Sequence, residues 1–308
     1  MVFFFATAAP ISEEMSPKKP KIITVIPIAN GRKYSLMKSK FLLLASLGLS
    51  TFLVSCKKEE TVAKAQVVKE ITVSLAAANE NPQPAGRTES GSATIKVYSD
   101  NSITVEATLV GLSAADNLTL AHFHTGDPVT NGPVVLDLKP TFTGGTVKAT
   151  LAAVRTSFID SIKAGIAEIY LNIHSTQVGS GIVRGQLFNP VMFAASVALS
   201  GANEVPAVTT TATGTALLRI TADNKLYSKV TVTNLEANDA LTMSHIHTGA
   251  AGTNGAVLIG LCSSAADFGV TKINTPTPAV INSIKADGLY VNVHSTMKAS
   301  GIVRGQIR

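Results

Sequence analysis

The sequence predicts an all-β protein of two tandem antiparallel domains, each a β-sandwich or Greek-key barrel with one short helix. Three observations support this fold class: short segments alternate apolar with polar side chains, turn residues separate them, and the whole pattern occurs twice. The chain has 308 residues, which suits two domains of ordinary size. With 45% hydrophobic and 15% charged residues and no tryptophan, it is typical neither of a disordered chain nor of a membrane bundle.

The N-terminal segment is predicted to lie outside the fold. A basic stretch from Met37 to Lys40 precedes a short apolar run from Phe41 to Phe52, which is the chemistry of a secretory signal and too short to span a membrane as a helix. The four residues that follow, Leu53-Val54-Ser55-Cys56, resemble the lipobox of bacterial lipoproteins, whose cysteine carries the lipid. We therefore expect an over-extended start at 1–36, a signal peptide at 37–55 and a tether at 56–66.

Lipidation of Cys56 would make a membrane the first partner of this protein. The next four residues, Lys57-Lys58-Glu59-Glu60, resemble the charged signal that directs some bacterial lipoproteins to the cell surface. We expect a lipid anchor in the outer membrane of a Gram-negative bacterium, with the protein exposed at the cell surface or, as the alternative, to the periplasm. Five of the six net positive charges lie before Cys56, so the mature chain is nearly neutral and nucleic acid is excluded as a partner.

An internal repeat of about 120 residues divides the rest of the chain. His122-Phe123-His124-Thr125-Gly126 recurs as His245-Ile246-His247-Thr248-Gly249, and the segments 170–176 and 180–186 recur at 290–296 and 300–306. Because the repeat runs through whole units, we predict two domains, at 67–189 and 192–308, joined near Asn189-Pro190.

Within each domain, the elements follow from local pattern. Segments rich in β-branched residues with alternating polarity predict strands. In the first domain these are Ile71–Leu75, Ala93–Tyr98 and Ile103–Leu109.

Two further signals complete the local pattern of each domain. Asp100-Asn101 and Asp223-Asn224 predict turns between strands. Apolar spacing of three and four predicts a short helix at Phe158–Gly165, repeated at Val280–Ala286.

The histidines are the candidate functional residues. The chain has six, and all six fall at matched positions of the repeat: His122, His124, His174, His245, His247 and His294. Residues two apart in a strand share a face, so His122 and His124 lie together, opposite Phe123. The sequence therefore predicts a histidine pair on one face of this strand in each domain.

Two more strands are predicted to contribute to the same polar face. Asn172 shares a face with His174, and Arg184 with Gln186. The second domain repeats this pattern with Asn292, His294 and Arg304. If the three strands are neighbours, each domain collects three imidazoles, an amide and a guanidinium.

Three interpretations of this polar face remain open. Three neutral imidazoles suit zinc or copper, one ion per domain, and Glu80 or Glu204 could complete or orient the ligand set. Zn–N bonds of about 2.1 Å require ring nitrogens within about 3.5 Å of one another. Alternatively the histidines bond loop backbone and serve the fold alone, or they hold a small anion together with the arginine.

The joint pattern resembles a known family. A His-x-His strand, an Asn-x-His strand, a Gly-x-x-Arg-Gly-Gln strand and an Asn-Glu-x-Pro opening together resemble the chordin-type (CHRD) domain, in two copies over nearly all of 67–308. The resemblance implies an extracellular β-sandwich module without established catalytic activity.

We therefore predict a binding module, with a metal ion or an extracellular protein as partner, rather than an enzyme. A structural or adhesive spacer is the alternative, and a metal-dependent enzyme is a weaker one. The sequence has no Gly-x-Ser-x-Gly elbow and no phosphate-cradling loop. Cys262, in an apolar stretch, is expected to be a buried, inert thiol.

Overall fold

The computed structural model describes residues 64–165 and 168–308. The predicted signal peptide, the lipidated Cys56 and most of the tether lie outside these residues. The described residues form two antiparallel sheets in succession along the chain, a half-barrel and a nearly closed barrel, with two short α-helices. The predicted all-β fold is confirmed. No helix in the described ranges has the length and apolarity that a membrane span requires.

Within the described residues, the first sheet has nine strands in the spatial order β5-β4-β8-β9-β1-β2-β3-β7-β6. Its elements in chain order are β1 (Val67–Ala76), β2 (Ser90–Tyr98), β3 (Ile103–Val110), β4 (Leu118–Thr125), β5 (Val134–Asp137), β6 (Thr141–Thr143), β7 (Thr146–Leu151), the helix α1 (Thr156–Ala164), β8 (Ile169–Ser175) and β9 (Val183–Gln186).

The second sheet repeats this plan and, in the part of the chain that is described, has eight strands. Their order is β14-β13-β16-β17-β10-β11-β12-β15. Its elements are β10 (Val191–Ser200), β11 (Thr213–Thr221), β12 (Leu226–Thr233), β13 (Leu241–Thr248), β14 (Val257–Cys262), β15 (Lys272–Asn274), the helix α2 (Pro278–Ala286), β16 (Leu289–Ser295) and β17 (Val303–Gln306).

The strands form where alternation predicts them. In β3 the side chains of Ile103, Val105 and Ala107 are buried and join the core, while the residues between them point outward. The turn before β3 is also as predicted. Asn101 adopts a φ of 62°, and the Asp100 carboxylate accepts a hydrogen bond from the Ser102 amide at 2.9 Å.

Both predicted helices are present. In α1 the side chains of Phe158, Ile159 and Ile162 are buried, and Gly165 ends the helix with a φ of 68°. In α2 the first residue is Pro278 and the preceding Thr277 caps the helix by accepting a hydrogen bond from the Val280 amide.

The two sheets contact one another through loops of the first domain. Arg219 of β11 is fully buried and donates to the backbone oxygen of Glu80 at 2.8 Å and to Asn81 Oδ1 at 3.1 Å. The Thr271 hydroxyl donates to Asp127 Oδ2 at 2.8 Å. The second domain therefore contacts the 79–81 loop and the loop that follows β4.

Candidate metal centre

The strand register brings the predicted polar side chains together in the first domain. Strand β8 runs between β4 and β9, and across these strands His122 pairs with Asn172, which pairs with Arg184. His124 pairs with Tyr170. Because paired residues of neighbouring strands point to the same face, one face carries the polar set.

The three imidazoles of each domain converge. One ring nitrogen from each of His122, His124 and His174 lies within 4.8 Å of the other two, and the second domain has the same group: His245, His247 and His294. His122 Nδ1 lies 3.1 Å from His174 Nε2, and the matching pair in the second domain is 3.2 Å apart. These two pairs meet the spacing that zinc requires.

In two of the three imidazoles, a hydrogen bond to a backbone carbonyl determines which ring nitrogen carries the proton and which keeps a lone pair. His124 Nδ1 lies 2.9 Å from the Gly132 oxygen, and His174 Nδ1 lies 3.0 Å from the Gly179 oxygen. A carbonyl can only accept, so each Nδ1 carries the proton and each Nε2 keeps a lone pair. The same bonds recur in the second domain, from His247 to the Gly255 oxygen at 3.1 Å and from His294 to the Ala299 oxygen at 3.0 Å.

Two of these lone pairs have no partner in the described part of the chain. His124 Nε2 and His247 Nε2 are buried and make no hydrogen bond to any residue of 64–165 or 168–308. A buried polar atom without a partner costs about 1–3 kcal/mol, so such atoms in native proteins require an explanation. The same unpartnered nitrogen occurs in both domains, each time in a ring that converges with two other imidazoles.

The electrostatics favour neutral imidazoles. Burial lowers the pKa of His124 and His174 in the first domain, and the neighbouring imidazole of His122 lowers both further. In the second domain burial likewise lowers the pKa of His245 and His294. Neutral rings are the form that donates a lone pair to a metal.

Arg184 serves the loop that follows β4. Its guanidinium is buried, lies 3.5 Å from the centre of the Tyr170 ring, and donates to the backbone oxygens of Asp127 at 2.6 Å and Thr130 at 3.1 Å. That loop contains Gly132, which holds His124. Since its donors are used within the protein, Arg184 is poorly suited to hold an anion together with the histidines.

The second domain uses its arginine in the same way. The guanidinium of Arg304 lies 3.3 Å from the centre of the Tyr290 ring. It donates to the backbone oxygen of Thr253 at 2.6 Å and to Asn254 Oδ1 at 3.1 Å. The arginine therefore has the same role in both copies of the repeat.

Glu80 and Glu204 lie outside the convergent groups. In the described residues each group contains histidines alone. Burial raises the pKa of Glu80 to about 8, although Arg184 and Arg219 oppose the shift. Burial also raises the pKa of Glu204 to about 7 against the charge of Arg304. The carboxyl group of Glu80 is therefore largely protonated near neutral pH, whereas that of Glu204 is about half protonated.

The predicted amides are neighbours of these carboxyl groups. Asn292 Nδ2 lies 3.5 Å from Glu204 Oε2. In the first domain, a Cβ on Gly181 would lie 2.4 Å from Asn172 Oδ1 and 2.7 Å from Glu80 Oε1. The glycine of the Gly-x-x-Arg-Gly-Gln motif thus makes room for a buried Glu–Asn pair beside the histidines.

Two contributors to the site were not identified from the sequence. Tyr170 stacks on His124 with ring centres 5.0 Å apart, and Tyr290 stacks on His247 at 4.9 Å. Strand alternation could have found them, since the tyrosine precedes the Asn-x-His motif by two residues. Asp137 lies 3.7 Å from His122 Nε2 and is paired with His122 across the strands, but it is not repeated in the second domain.

Cys262 is buried, as predicted, and Asp127 serves a turn. Asp127 forms a turn in which its Oδ1 accepts from the Val129 amide at 2.8 Å. Cys262 is a buried free cysteine, and burial raises the pKa of its thiol. Neither residue joins the convergent histidine groups.

These features define a tandem antiparallel β protein with one three-histidine cluster per domain. The model of the CHRD domain matches residues 71–187 and 195–307, so the chain belongs to the CHRD domain family and contains two tandem copies. The resemblance inferred from the motifs is confirmed. Comparison with curated proteins and with solved structures gave no significant match.

Proposed function

We propose that this protein is a lipid-anchored, surface-exposed binding protein whose two CHRD domains each hold one transition-metal ion, zinc or copper. The observation that carries the proposal is the repeated buried Nε2 of His124 and His247, which has no hydrogen-bond partner among the described residues and belongs to a ring that converges with two further imidazoles. A metal ion would satisfy this atom in both domains. The CHRD domain is a binding-type module, which favours binding over catalysis.

The chemistry of the donor set fits such an ion. Three imidazole nitrogens leave a fourth position for water or another ligand on zinc, and imidazole also suits copper. A histidine that binds a metal through one ring nitrogen characteristically donates a hydrogen bond from the N–H of the other to a carbonyl or carboxylate, and this bond orients the ring. Gly132 and Gly179 supply such carbonyls in the first domain, and Gly255 and Ala299 do so in the second.

The purely structural alternative accounts for the Nδ1 bonds to loop carbonyls and for the hydrogen bond between His122 and His174. It leaves Nε2 of His124, and the equivalent atom of His247, without a partner among the described residues. The convergence of three ring nitrogens favours a bound ion.

Metal titration of matched single variants tests the proposal. Wild type should bind about two zinc ions per chain with loss on chelation, whereas His174→Ala should retain the second site alone and His294→Ala the first alone. The two variants serve as controls for each other because the ligands come from separate domains. Unchanged stoichiometry, or binding of neither zinc nor copper by wild type in parallel titrations, would contradict the proposal. Loss of metal-free stability without any effect of zinc would support the structural role.

The anchor is tested separately. The motif from Leu53 to Cys56 and the preceding apolar run support cleavage before Cys56 and lipidation of its thiol. Cys56→Ser should release the protein from the membrane fraction, and mass spectrometry of wild type should show a lipidated Cys56. An intact peptide spanning Ser55 and Cys56 in mature protein would refute this assignment.

A further inference from the structure

The two histidine clusters differ in the residue that is paired across the strands with the first histidine of each cluster. His122 pairs across the strands with Asp137, whereas the equivalent His245 pairs with Gly260. Asp137 Oδ1 lies 3.7 Å from His122 Nε2, slightly beyond hydrogen-bond distance but close enough for its charge to act on the ring. The repeat therefore preserves the three imidazoles and changes the group behind one of them.

This difference acts on the ring nitrogen that faces away from the cluster. His122 presents Nδ1 toward His174 and Nε2 toward Asp137. A carboxylate on the Nε2 side favours the tautomer that carries its proton there, which leaves the lone pair on Nδ1. Its negative charge also favours a cation held at Nδ1.

The second domain has open space in the same place. The cavity beside His245 is lined by Met243, Gly260, Cys262 and Lys272. Asp267 also lines it, but its carboxylate already accepts hydrogen bonds from the Ser263 amide and from Lys272 Nζ. Thus no contact of the described residues gives His245 the carboxylate that His122 has.

We propose that Asp137 is a positioning residue that makes the first cluster the higher-affinity metal site of the two. This inference rests on the proposed function. When metal is limiting, the ion should therefore bind to the first domain, and the second domain should release its ion more readily. Carboxylates that orient a histidine ligand typically change metal affinity by 10- to 100-fold, and we expect about tenfold because Asp137 is half exposed.

The chain permits the reciprocal exchange of these two residues. The φ of Gly260 lies outside the left-handed region, and a Cβ there would meet His245 Cδ2 at 3.9 Å, an ordinary contact. Gly260→Asp should therefore be accommodated and place a carboxylate beside His245. Gly260→Asn adds nearly the same volume without the charge and is the matched control.

Competition titration of the full chain with zinc and a chromophoric chelator tests the inference. Each site is measured alone, the first in the His294→Ala background and the second in the His174→Ala background. The first site should bind zinc about tenfold more tightly. Asp137→Gly and Asp137→Asn should remove this advantage, and Gly260→Asp, unlike Gly260→Asn, should confer it on the second site.

The outcomes separate this inference from the proposal on which it rests. Two zinc sites of equal affinity that do not respond to Asp137→Gly would overturn the role of Asp137 alone. An equal gain from Gly260→Asp and Gly260→Asn would do the same, because volume rather than charge would then be responsible. Absence of both zinc and copper at the two sites would overturn the metal proposal itself. Melting of the metal-free variants verifies that each remains folded.

Discussion

At the scale of single residues, the candidate site depends on which atom of each side chain is occupied. The carbonyl of Gly132 accepts a hydrogen bond from the Nδ1–H of His124, so the lone pair of this ring is on Nε2, which has no partner among the described residues. The guanidinium of Arg184 is taken by the loop, so it is not available to a ligand. The carboxyl of Glu80 is buried beside the Asn172 amide and is held largely protonated at neutral pH.

Glu80 should make the stability of the protein depend on pH. Its pKa rises from 4.5 to about 8 on folding because of burial, so the folded state keeps a proton that the unfolded state releases. The stabilising effect of this proton is complete below pH 4.5 and is lost as the pH rises to about 8. Glu80→Gln should remove this decline and raise the free energy of unfolding at pH 8, measured by denaturant titration across the pH range.

Glu204→Gln is the matched variant in the second domain. It should also raise the free energy of unfolding at high pH, but the pH range of the effect should be narrower, since the pKa of Glu204 rises only to about 7. Parallel stability profiles of wild type and Glu80→Gln between pH 5 and 8 would show that this carboxyl is not buried in its neutral form.

The residue types of the candidate site could be predicted from the sequence. Which ring nitrogen of each histidine bonds a loop carbonyl, and which one keeps a lone pair, could not. Strand alternation places His122 and His124 on one face, and the matched repeat singles out all six histidines. The orientation of each ring depends on loop carbonyls such as that of Gly179, which no periodicity specifies. The burial of Glu80 beside Asn172 could not be predicted either, because burial of a loop residue follows from tertiary packing.

At the scale of elements, the loop between β4 and β5 orients the site. Gly132 ends this loop, and a Cβ there would lie 1.7 Å from the Thr125 oxygen, a distance that real Cβ atoms do not show. Only a residue without a side chain can bring its carbonyl to His124 in this way. The equivalent Gly255 would place a Cβ 1.6 Å from the Thr248 oxygen.

Substitution of Gly132 should therefore act on one site. Gly132→Ala must displace the loop, so it should lower the melting temperature and weaken zinc binding at the first site by at least about tenfold, an effect comparable with loss of a ligand-orienting partner. The second site should be unaffected, and Gly255→Ala should show the reverse pattern. Zinc titration of each variant distinguishes the sites.

Gly179→Ala is the control for these variants. It also supplies a carbonyl to a histidine, but a Cβ there meets nothing within 4 Å, and the second domain has Ala299 at this position. Zinc affinity and stability should therefore be unchanged. A similar loss in Gly132→Ala and Gly179→Ala would show that loop glycines act through chain flexibility rather than through space for a carbonyl.

The strands, turns and both helices could be predicted because each depends on short-range pattern, as in β3 and at Asn101. The adjacency of β4, β8 and β9 was a condition of the predicted polar face, and the sheet order meets it. The pairing of Asp137 with His122 could not be predicted, since β5 carries no signal that specifies its register.

At the scale of the molecule, one arginine joins the two domains. Arg219 is fully buried and also donates to the Ala195 oxygen at 2.6 Å, and burial lowers its pKa to about 9. The equivalent residue in the first domain, by position in β2, is Lys96, which is partly exposed and whose Nζ lies 3.8 Å from Glu70 Oε2. The repeat predicts two similar domains, and this contact could not be predicted because it depends on how they pack.

Arg219→Ala should loosen the contact between the domains. It leaves the backbone oxygen of Glu80 without this donor, and each buried acceptor so deprived costs about 1–3 kcal/mol. We expect lower stability and faster amide hydrogen exchange in residues 79–81 and 127–132. Lys96→Ala, the control, should change stability little because its ion pair is exposed. Equal effects of the two variants would show that Arg219 contributes no specific interdomain contact.

Anomalous diffraction at the zinc edge, from crystals of the zinc-loaded protein, tests the central claim most directly. The account predicts two anomalous peaks per chain, one within about 2.1 Å of His122 Nδ1, His124 Nε2 and His174 Nε2 and one at the equivalent atoms of His245, His247 and His294. Zinc-loaded crystals without a peak at either cluster, or with peaks only at surface carboxylates, would contradict it.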